Sequence, residues 1–328
     1  MPLTTIAFIT THRLGDALSH TPAIRFLKQY HQDAKITVIA PSPEAQIVFE
    51  GNPDVDEVLC VSSNKVTSLR GKRYDLTISF CRQSLAIEIC KQIHGPQLLL
   101  SGITDKKVPD CQAAPPPPHQ THVSKSNVEK LRSLFISDKM FNDFRYTLSF
   151  TKADASMVET TLKHLGLEQS PLIALHLGCR SVRKRLGFGQ TEITHEKAWR
   201  VNNAIDFCNQ LAQAFPQVRC LATGTKAEGV YTKKLASACS NVIDTVDRFS
   251  IKQAAALMHQ LKVCIVPDTG MLHIAASTPV PIVGLYAPTD PAETGPYPGR
   301  MNHYPIQKDS MDLITGKIVF DTIAPLLK

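Results

Sequence analysis

The sequence predicts an α/β protein of two units, each a parallel sheet with helices on both faces. Three observations lead to this fold class. The chain has 328 residues, more than the ~150 of one typical domain. Short apolar runs alternate with amphipathic stretches, as in repeated strand–helix–strand units. The alternation restarts after residues 165–170, so we expect a seam there, with a ligand cleft between the two units.

The first unit is expected to open with a buried strand, because residues 5–10 form a continuous, partly β-branched run. A turn at Gly15 and Asp16 follows, and residues 22–30 have apolar side chains at helical spacing. The later elements of this unit are predicted as a strand at 36–40, a helix at 43–50, and strands at 58–61 and 76–80.

A proline-rich break separates the two halves. Residues 115–118 are four consecutive prolines, which excludes a helix or a central strand and predicts a stiff, extended surface segment within residues 109–118. This tract is either a simple loop or a ligand for a partner protein. Helical patterns resume at 126–135 and at 152–165, and Gly166 is expected to cap the second of these helices.

The second half repeats the strand–helix alternation. Its predicted elements are strands at 172–176, 218–222, 263–266 and 282–286, and helices at 201–215, 251–259, 271–277 and 318–324. Pro325 should end the last helix.

The composition is that of an ordinary soluble protein, with 43% hydrophobic and 20% charged residues. It excludes a disordered chain, a collagen-like repeat and a small disulfide scaffold. No apolar run approaches the roughly 18–20 residues that cross a bilayer. Because the first eleven residues have no basic segment ahead of their apolar run, we expect no signal peptide and a cytoplasmic location.

The formal net charge of +7 is spread over the whole chain. An even excess favours anionic small molecules or an anionic membrane face. Nucleic acid is not expected as a partner, because no basic stripe with interleaved aromatic residues is present. The nine cysteines are odd in number and form no C-x-x-C pair, so we interpret them as buried, reduced thiols and expect no zinc site.

Two common nucleotide-binding motifs are absent. No G-x-G-x-x-G follows the first strand and no G-x-x-x-x-G-K-[ST] occurs, which argues against a dinucleotide-dependent oxidoreductase and a P-loop ATPase. Asp54 and Asp56 have the D-x-D spacing of some metal-dependent sugar transferases. They follow Asn52 and Pro53, so an acidic turn is the other interpretation.

The strongest local signal is the segment PDTGMLHIAA at residues 267–276. A strand ends just before it, and Asp268 or Thr269 is expected to cap the helix that begins at once. Gly270 would allow a ligand to approach the backbone, and His273 lies one turn into the helix. Free N–H groups at this helix start would suit a diphosphate. An ordinary capped turn is the alternative.

That segment continues through residues 281–297, PIVGLYAPTDPAETGPY, and with it the chain resembles glycosyltransferase family 9. This family contains the ADP-heptose:lipopolysaccharide heptosyltransferases of Gram-negative bacteria. The N-terminal segment RLGDALSHTPAI at residues 13–24 looks like the family's first strand–loop–helix. Residues 52–58 and 74–76 also resemble family segments, so the similarity extends over nearly the whole chain.

The resemblance implies the GT-B fold, in which two Rossmann-like domains have parallel sheets facing across a cleft. It implies an acceptor-binding domain at residues 1–167, a nucleotide-sugar domain at 168–310, and a C-terminal helix at 311–328 packed on the first domain. It also implies inversion at the anomeric carbon without a metal or other cofactor. The expected substrates are ADP-heptose and a lipid-linked lipopolysaccharide core acceptor at the cytoplasmic membrane face, and the expected state is a monomer.

The resemblance assigns Asp16 as the catalytic base, since a carboxylate must take the proton of the attacking hydroxyl. A helix N-cap is its other interpretation. Lys197 matches the family's K-x-W lysine, which contacts the donor phosphates. The usual proline after the tryptophan is Arg200 here. The preceding segment looks longer than usual and contains three further candidate phosphate contacts, namely Arg183, Lys184 and Arg185.

The remaining candidates for donor binding are Gly178 and Cys179, which follow the first strand of the second domain. Thr225 and Glu228 lie where members of the family contact the nucleoside of the donor. Cys179 replaces a small or hydroxylic residue, and Glu228 could equally belong to a surface turn. Arg13 and Arg82 are the candidates for binding a phosphorylated acceptor. Three alternatives stay open, namely another donor or acceptor, a nucleotide-binding protein without catalysis, and, as the least favoured, a dinucleotide-dependent oxidoreductase.

Overall fold

The computed structural model describes residues 3–81, 84–99, 111–113, 121–135, 140–178 and 196–328. The chain forms two units. Unit 1 contains Met1–Ser149 and Tyr297–Gly299, and unit 2 contains Phe150–Pro296 and Arg300–Lys328.

Unit 1 alternates strands and helices around one parallel sheet. Its described elements are β1 (Thr5–Ile9), α1 (Leu14–Ser19), α2 (Thr21–Tyr30), β2 (Lys35–Ala40), α3 (Pro43–Phe49), β3 (Glu57–Cys60), β4 (Leu76–Ser79), α4 (Ser84–Gln92), β5 (Gln97–Leu99), β6 (Cys111–Ala113) and α5 (Val123–Phe135), with a 3-10 helix at Ser63–Leu69. The strand order is β3-β2-β1-β4-β5-β6. The central strand β1 is almost wholly buried and pairs in parallel with β2 and β4.

Unit 2 has the same plan. Its elements are α6 (Lys152–His164), β7 (Leu172–His176), α7 (Val201–Ala214), β8 (Arg219–Thr223), α8 (Gly229–Ala238), β9 (Val242–Asp244), α9 (Ile251–Met258), β10 (Val263–Pro267), α10 (Gly270–Ala276), β11 (Ile282–Tyr286), α11 (Pro291–Thr294), β12 (His303–Gln307) and α12 (Gly316–Ile323), with 3-10 turns at Lys226–Glu228, Met311–Leu313 and Ala324–Leu326. The strand order is β12-β11-β10-β7-β8-β9, and the neighbouring strands pair in parallel.

Several elements depart from the sequence prediction. The turn expected at Gly15 and Asp16 is instead the short helix α1, which precedes α2. Cys111–Ala113 forms the edge strand β6 inside the segment expected to be only extended surface chain. The four-proline tract at 115–118 lies outside the described residues. Strands of three residues carry too little hydrophobic pattern to be identified in a sequence.

The observed division also differs from the predicted seam at 165–170. Helix α6, which was assigned to the first domain, belongs to unit 2 and packs against α9. Just before α6, the ring of Phe150 contacts that of His259 at a centroid distance of 5.2 Å. The helical pattern of α6 was correctly predicted, but an amphipathic pattern does not show which partner its apolar face will meet.

The C-terminal segment lies in unit 2, whereas the prediction placed it on the first domain. Helix α12 packs against α7, and Met311, Val319 and Ile323 are fully buried in the core of unit 2. The approach of the two helices is close, because a Cβ added at Gly316 would lie 2.4 Å from the backbone nitrogen of Phe207. Burial of these apolar side chains is what holds the segment in this unit.

Seven cysteine side chains in the described part of the chain are free thiols, and all except Cys60 are buried. This agrees with the predicted role as small core residues. Among the described residues, no group of three His, Cys, Asp or Glu side chains has the arrangement of a metal site. The described helices include none with the length and apolar character needed to cross a membrane.

Candidate functional site

The topology of unit 2 indicates where a ligand would bind. Strands β7 and β10 are neighbours at the centre of the sheet, but the chain leaves β7 toward β8 and leaves β10 toward β11. In an open parallel sheet, the crevice beyond the carboxyl ends of two such strands is the usual ligand site. Gly178 follows β7 and Asp268 follows β10, so the sheet itself brings these two predicted donor-site residues to the same crevice.

Lys197 and Asp268 form an ion pair at this crevice. The Lys197 Nζ lies 2.9 Å from Asp268 Oδ2, and the Lys197 side chain is 27% exposed while that of Asp268 is 6% exposed. Burial alone raises the pKa of the Asp268 carboxyl. The Lys197 ammonium, together with His273 and the Thr289 hydroxyl, outweighs burial and holds that pKa below its usual value. A partly exposed cation is thus fixed beside a buried anion.

Trp199 explains how Lys197 reaches this position. The indole is fully buried in the core of unit 2, and its Nε1 donates to the carbonyl of Ile314 at 2.7 Å. The backbone N–H of Trp199 donates to the Leu177 carbonyl at 2.9 Å, which ties this segment to the loop after β7. The K-x-W spacing therefore couples a core anchor to a lysine at the crevice.

Arg200 stands where the family often has proline, and the structure shows what it contacts. Its guanidinium pairs with both oxygens of Asp312, at 2.6 and 3.0 Å. The side-chain hydrogen bond from Arg200 holds the pKa of the Asp312 carboxyl below its usual value. The pair links the start of α7 to the C-terminal segment of the same unit, so this residue contributes to tertiary packing.

Glu228 lies under the loop that carries Gly178. A Cβ added at Gly178 would be 2.2 Å from Glu228 Oε1, so this loop backbone rests directly on the carboxylate. The other oxygen, Oε2, accepts from the N–H and the hydroxyl of Thr225, at 2.6 and 2.8 Å. His176 Nε2 lies 3.7 Å from Oε1. Glu228 is 3% exposed, so of its two interpretations the surface turn is wrong.

Helix α10 begins at Gly270, one residue before the predicted start at 271, and without the expected side-chain cap. Thr269 is the N-cap residue by position, and its side chain makes no hydrogen bond to the helix. Its Oγ1 is buried and has no hydrogen-bond partner among the described residues. His273 is 8% exposed and lies within α10. Asp268 does not cap α10 through any observed bond, because its carboxylate is held by Lys197 and by the hydroxyl of Thr294.

Unit 1 has a switch point of the same kind. Strands β1 and β4 are neighbours at the centre of its sheet, with β2 beyond β1 and β5 beyond β4. Asp16 lies in the first turn of α1, the helix after β1, and both Asp16 and Arg13 are exposed. The Asp16 carboxylate makes no hydrogen bond or ion pair with the residues that the structure describes. It is therefore accessible at the edge where a ligand of this unit would bind.

His20 lies directly behind this edge and was not singled out from the sequence. The imidazole Nδ1 is 2.9 Å from Thr10 Oγ1, and the ring contacts Phe8 and Phe80 at centroid distances of 5.7 and 5.1 Å. Burial, with a smaller contribution from the charge of Lys130, lowers the pKa of His20 to about 3. A neutral imidazole thus joins the ends of β1 and β4 to the end of α1. One histidine in an apolar pattern gives no sequence signal for such a role.

The D-x-D pair is structural. Asp54 Oδ2 lies 3.6 Å from Arg25 Nε, and Asp56 Oδ2 lies 3.0 Å from Lys28 Nζ. Asp56 Oδ2 also accepts from the backbone N–H of Ile36 at 2.8 Å. Each carboxylate is therefore held by a cation of α2, and the structure supports the acidic-turn interpretation.

Five residues predicted to bind the donor or the acceptor lie outside the described residues, namely Arg82, Cys179, Arg183, Lys184 and Arg185. For the predicted positions that are described, the structure brings Gly178, Lys197 and Asp268 to one crevice of unit 2. Thr225 and Glu228 lie beneath that crevice, and Asp16 and Arg13 lie at the switch point of unit 1.

Comparison with known proteins adds a family assignment. The model of glycosyltransferase family 9 (heptosyltransferase) matches residues 118–312. The lipopolysaccharide core heptosyltransferase OpsX of Haemophilus influenzae is 26% identical over 136 residues, which are 41% of this chain and 39% of that protein. The chain thus aligns with about two fifths of that relative. Lipopolysaccharide heptosyltransferase 3 of Escherichia coli is 23% identical over 84% of this chain and 80% of its own length.

Solved structures agree on the fold. A glycosyl transferase family 9 protein from Veillonella parvula superposes with a TM-score of 0.84 at 18% identity, covering 100% of this chain and 98% of that one. The ADP-heptose lps heptosyltransferase II of E. coli superposes with a TM-score of 0.75 at 18% identity, covering 99% and 98%. The predicted fold class, GT-B with two parallel-sheet Rossmann-like units, is thereby confirmed.

Proposed function

The chain belongs to glycosyltransferase family 9, and from this premise we propose that it moves heptose from ADP-heptose to a lipopolysaccharide core acceptor. The observation that carries the proposal is the Lys197–Asp268 ion pair at the switch point of unit 2. A nucleoside diphosphate leaving group needs positive charge at its phosphates. The described part of this crevice supplies it through a partly exposed ammonium held in place by a buried carboxylate.

The donor is proposed to bind unit 2. Lys197 contacts the diphosphate, and the backbone of Gly178 and Gly270 lies along it, with Thr269 and His273 as further donors. The Thr269 hydroxyl supports this assignment, since it is buried and has no partner among the described residues. Glu228 and Thr225 shape the nucleoside side of the site. Cys179, Arg183, Lys184 and Arg185 remain candidate donor contacts on the strength of the family resemblance.

Asp16 is proposed as the catalytic base, with Arg13 and Arg82 binding the phosphorylated acceptor. In the reaction, the acceptor hydroxyl passes its proton to the Asp16 carboxylate while its oxygen forms a bond to the anomeric carbon. The bond from that carbon to the phosphate oxygen breaks, and its electron pair leaves with the nucleoside diphosphate. Attack opposite the leaving group inverts the anomeric configuration. The exposed Asp16 carboxylate, which makes no hydrogen bond or ion pair with any residue that the structure describes, supports this role.

The setting proposed for this reaction is the cytoplasmic face of the inner membrane, with the protein acting as a peripheral monomer. Two of the relatives are lipopolysaccharide heptosyltransferases, and one structural neighbour is described as using ADP-heptose. The reaction is proposed to need no metal, because Lys197 provides charge at the phosphates. Turnover that is unchanged in excess EDTA would support this, and loss of turnover with recovery on adding Mg²⁺ would contradict it.

The first experiment compares ADP, UDP, GDP and CMP as stabilising ligands by thermal shift at matched concentration. A ligand at about a hundred times its dissociation constant adds roughly 2.7 kcal/mol of stability, which raises the melting temperature by several degrees. We expect ADP to stabilise most, and ADP-heptose then serves for turnover assays. Stronger stabilisation by UDP or GDP would contradict ADP-heptose as the donor. Nucleotide binding without sugar transfer would indicate a protein that binds nucleotide but is not an enzyme.

A further inference from the structure

Thr294 donates a hydrogen bond to the carboxylate that holds Lys197. Its Oγ1 donates to Asp268 Oδ2 at 3.0 Å, and the same oxygen accepts from Lys197 Nζ at 2.9 Å. The three residues come from separate parts of unit 2, namely the segment before α7, the loop after β10 and the last residue of α11. One carboxylate oxygen thus joins a hydroxyl that is fixed in a turn to an ammonium at the crevice.

The Thr294 hydroxyl is well placed to hold this oxygen still. The Thr294 N–H donates to the Asp290 carbonyl at 3.0 Å, and the Asp290 side chain caps α11 by accepting from the Ala292 N–H at 2.8 Å. Gly295 follows in a tight position, because an added Cβ would lie 2.4 Å from the carbonyl oxygen of Pro291. These contacts hold the backbone of the turn that carries the Thr294 hydroxyl.

The Thr294 hydroxyl has one proton and two acceptors within reach. The Asp290 carbonyl lies 3.2 Å from Oγ1 and the Asp268 carboxylate oxygen lies 3.0 Å from it. A hydrogen bond to an ionised acceptor is the stronger of the two kinds. Because Asp268 is 6% exposed, water contributes little to its solvation, and the hydroxyl becomes one of the few groups that orient its oxygen.

The consequence concerns Lys197. A lysine side chain has four rotatable bonds and behaves as a flexible point charge, so its position depends on its anchor. We propose that Thr294 is a positioning residue for donor binding, which fixes the Asp268 carboxylate so that Lys197 presents its ammonium to the donor diphosphate. This inference rests on the proposed function for the identity of the ligand. The arrangement of the three residues does not depend on it.

The test measures binding of ADP and of AMP by calorimetry to the wild type and to Thr294→Val, Thr294→Ser and Lys197→Met. Valine keeps the shape of threonine without its hydroxyl, and serine keeps the hydroxyl. We expect Thr294→Val to weaken ADP binding about fivefold to tenfold, less than the full effect of a lost hydrogen bond to a charged group, because the substitution acts on the ligand only through Lys197. Binding of AMP, which lacks the second phosphate, should change less than twofold, and Thr294→Ser should bind ADP like the wild type.

A double variant separates positioning from simple loss of structure. If Thr294 acts through Lys197, then Thr294→Val in the Lys197→Met background weakens ADP binding less than twofold further. Thr322→Val is the matched control, because its hydroxyl donates to the Ile318 carbonyl in α12 of the same unit, and it should leave ADP binding unchanged. Equal loss of ADP and AMP binding, or the same loss in the Lys197→Met background, would overturn the inference.

The position of the Lys197 ammonium can also be measured without any nucleotide, through its chemical reactivity. The acylation rate of the Lys197 amine, followed by mass spectrometry, should rise at least twofold in Thr294→Val and stay at the wild-type value in Thr294→Ser and Thr322→Val. An unchanged rate in Thr294→Val would overturn the positioning role. Failure of the wild type to bind ADP would count against the proposed function alone.

Discussion

The indole Nε1 of Trp199 donates to the carbonyl oxygen of Ile314 at 2.7 Å, across 115 residues of sequence. The same carbonyl accepts from Asn203 Nδ2 at 2.9 Å. This pair connects the segment that carries Lys197 to the chain just before α12. The contact therefore stabilises unit 2 and at the same time fixes the lysine segment, which links packing in the core to the candidate site.

Trp199→Phe should lower the free energy of unfolding by about 2–3 kcal/mol, because it removes a buried donor and leaves part of the indole volume empty. Urea unfolding followed by circular dichroism measures this, since Trp199 is the single tryptophan of the chain and its fluorescence is lost in the variant. Tyr304→Phe in β12 is the control, because its hydroxyl makes no bond among the described residues, and its effect should stay within about 0.5 kcal/mol. A stable Trp199→Phe variant would contradict the anchoring role.

Gly178→Ala should weaken nucleotide binding and lower stability by about 1–2 kcal/mol, because it displaces the Glu228 carboxylate that caps the 3-10 turn at Lys226–Glu228. The added Cβ would lie 2.2 Å from Glu228 Oε1, so the Glu228 side chain must leave its contacts with Thr225. Gly229→Ala is the control on the same turn, where the nearest atom would be Val246 Cγ1 at 3.5 Å. Thermal unfolding and ADP titration of the two variants check this. Equal stability and equal ADP affinity of the two variants would show that the Gly178 loop accepts a Cβ without displacing Glu228.

Asp16→Asn should reduce the rate of transfer by about 10²- to 10⁴-fold, the usual contribution of a general base. Nucleotide affinity should not change, because the proposed donor contacts belong to unit 2. Steady-state turnover and nucleotide titration measure the two effects separately. Asp33→Asn, an exposed carboxylate elsewhere in unit 1, serves as the control and should turn over like the wild type. An Asp16→Asn enzyme with normal turnover would remove Asp16 as the base.

His20 should make unit 1 sensitive to acid. Its pKa is about 3 in the folded protein, against an ordinary value of 6.5, so between these values the unfolded chain binds one more proton. The stabilising effect of the neutral imidazole is complete above pH 6.5. Below that pH the free energy of unfolding falls by up to about 1.4 kcal/mol per pH unit until pH 3.

Urea unfolding of the wild type and of His20→Gln at pH 7, 6, 5 and 4 tests this slope. The wild type should lose stability more steeply than the variant as pH falls, by the equivalent of about one proton. His164→Gln is the control, since that imidazole is exposed at the end of α6, and it should keep the wild-type slope. Parallel pH profiles for the wild type and His20→Gln would show that His20 is not held neutral.

The sequence alone determined the α/β class and most central strands, because continuous apolar runs such as those of β1, β7 and β10 must be buried on both faces of a parallel sheet. It also determined the family, through the segments around Asp16 and around residues 267–297. Lys197 was a candidate because residues 197–199 resemble the family's K-x-W. These inferences depend on local patterns, which the order of residues contains in full.

Only the tertiary structure decided which segments meet. It placed α6 and α12 in unit 2. It showed that the two D-x-D carboxylates pair with Arg25 and Lys28, and that the Thr294 hydroxyl donates to the Asp268 carboxylate. It also showed His20 as a buried neutral link between two strand ends. Each of these is a contact between residues far apart in the chain. Such contacts depend on how helices and loops pack on the sheets, and a pattern read along one segment does not contain that information.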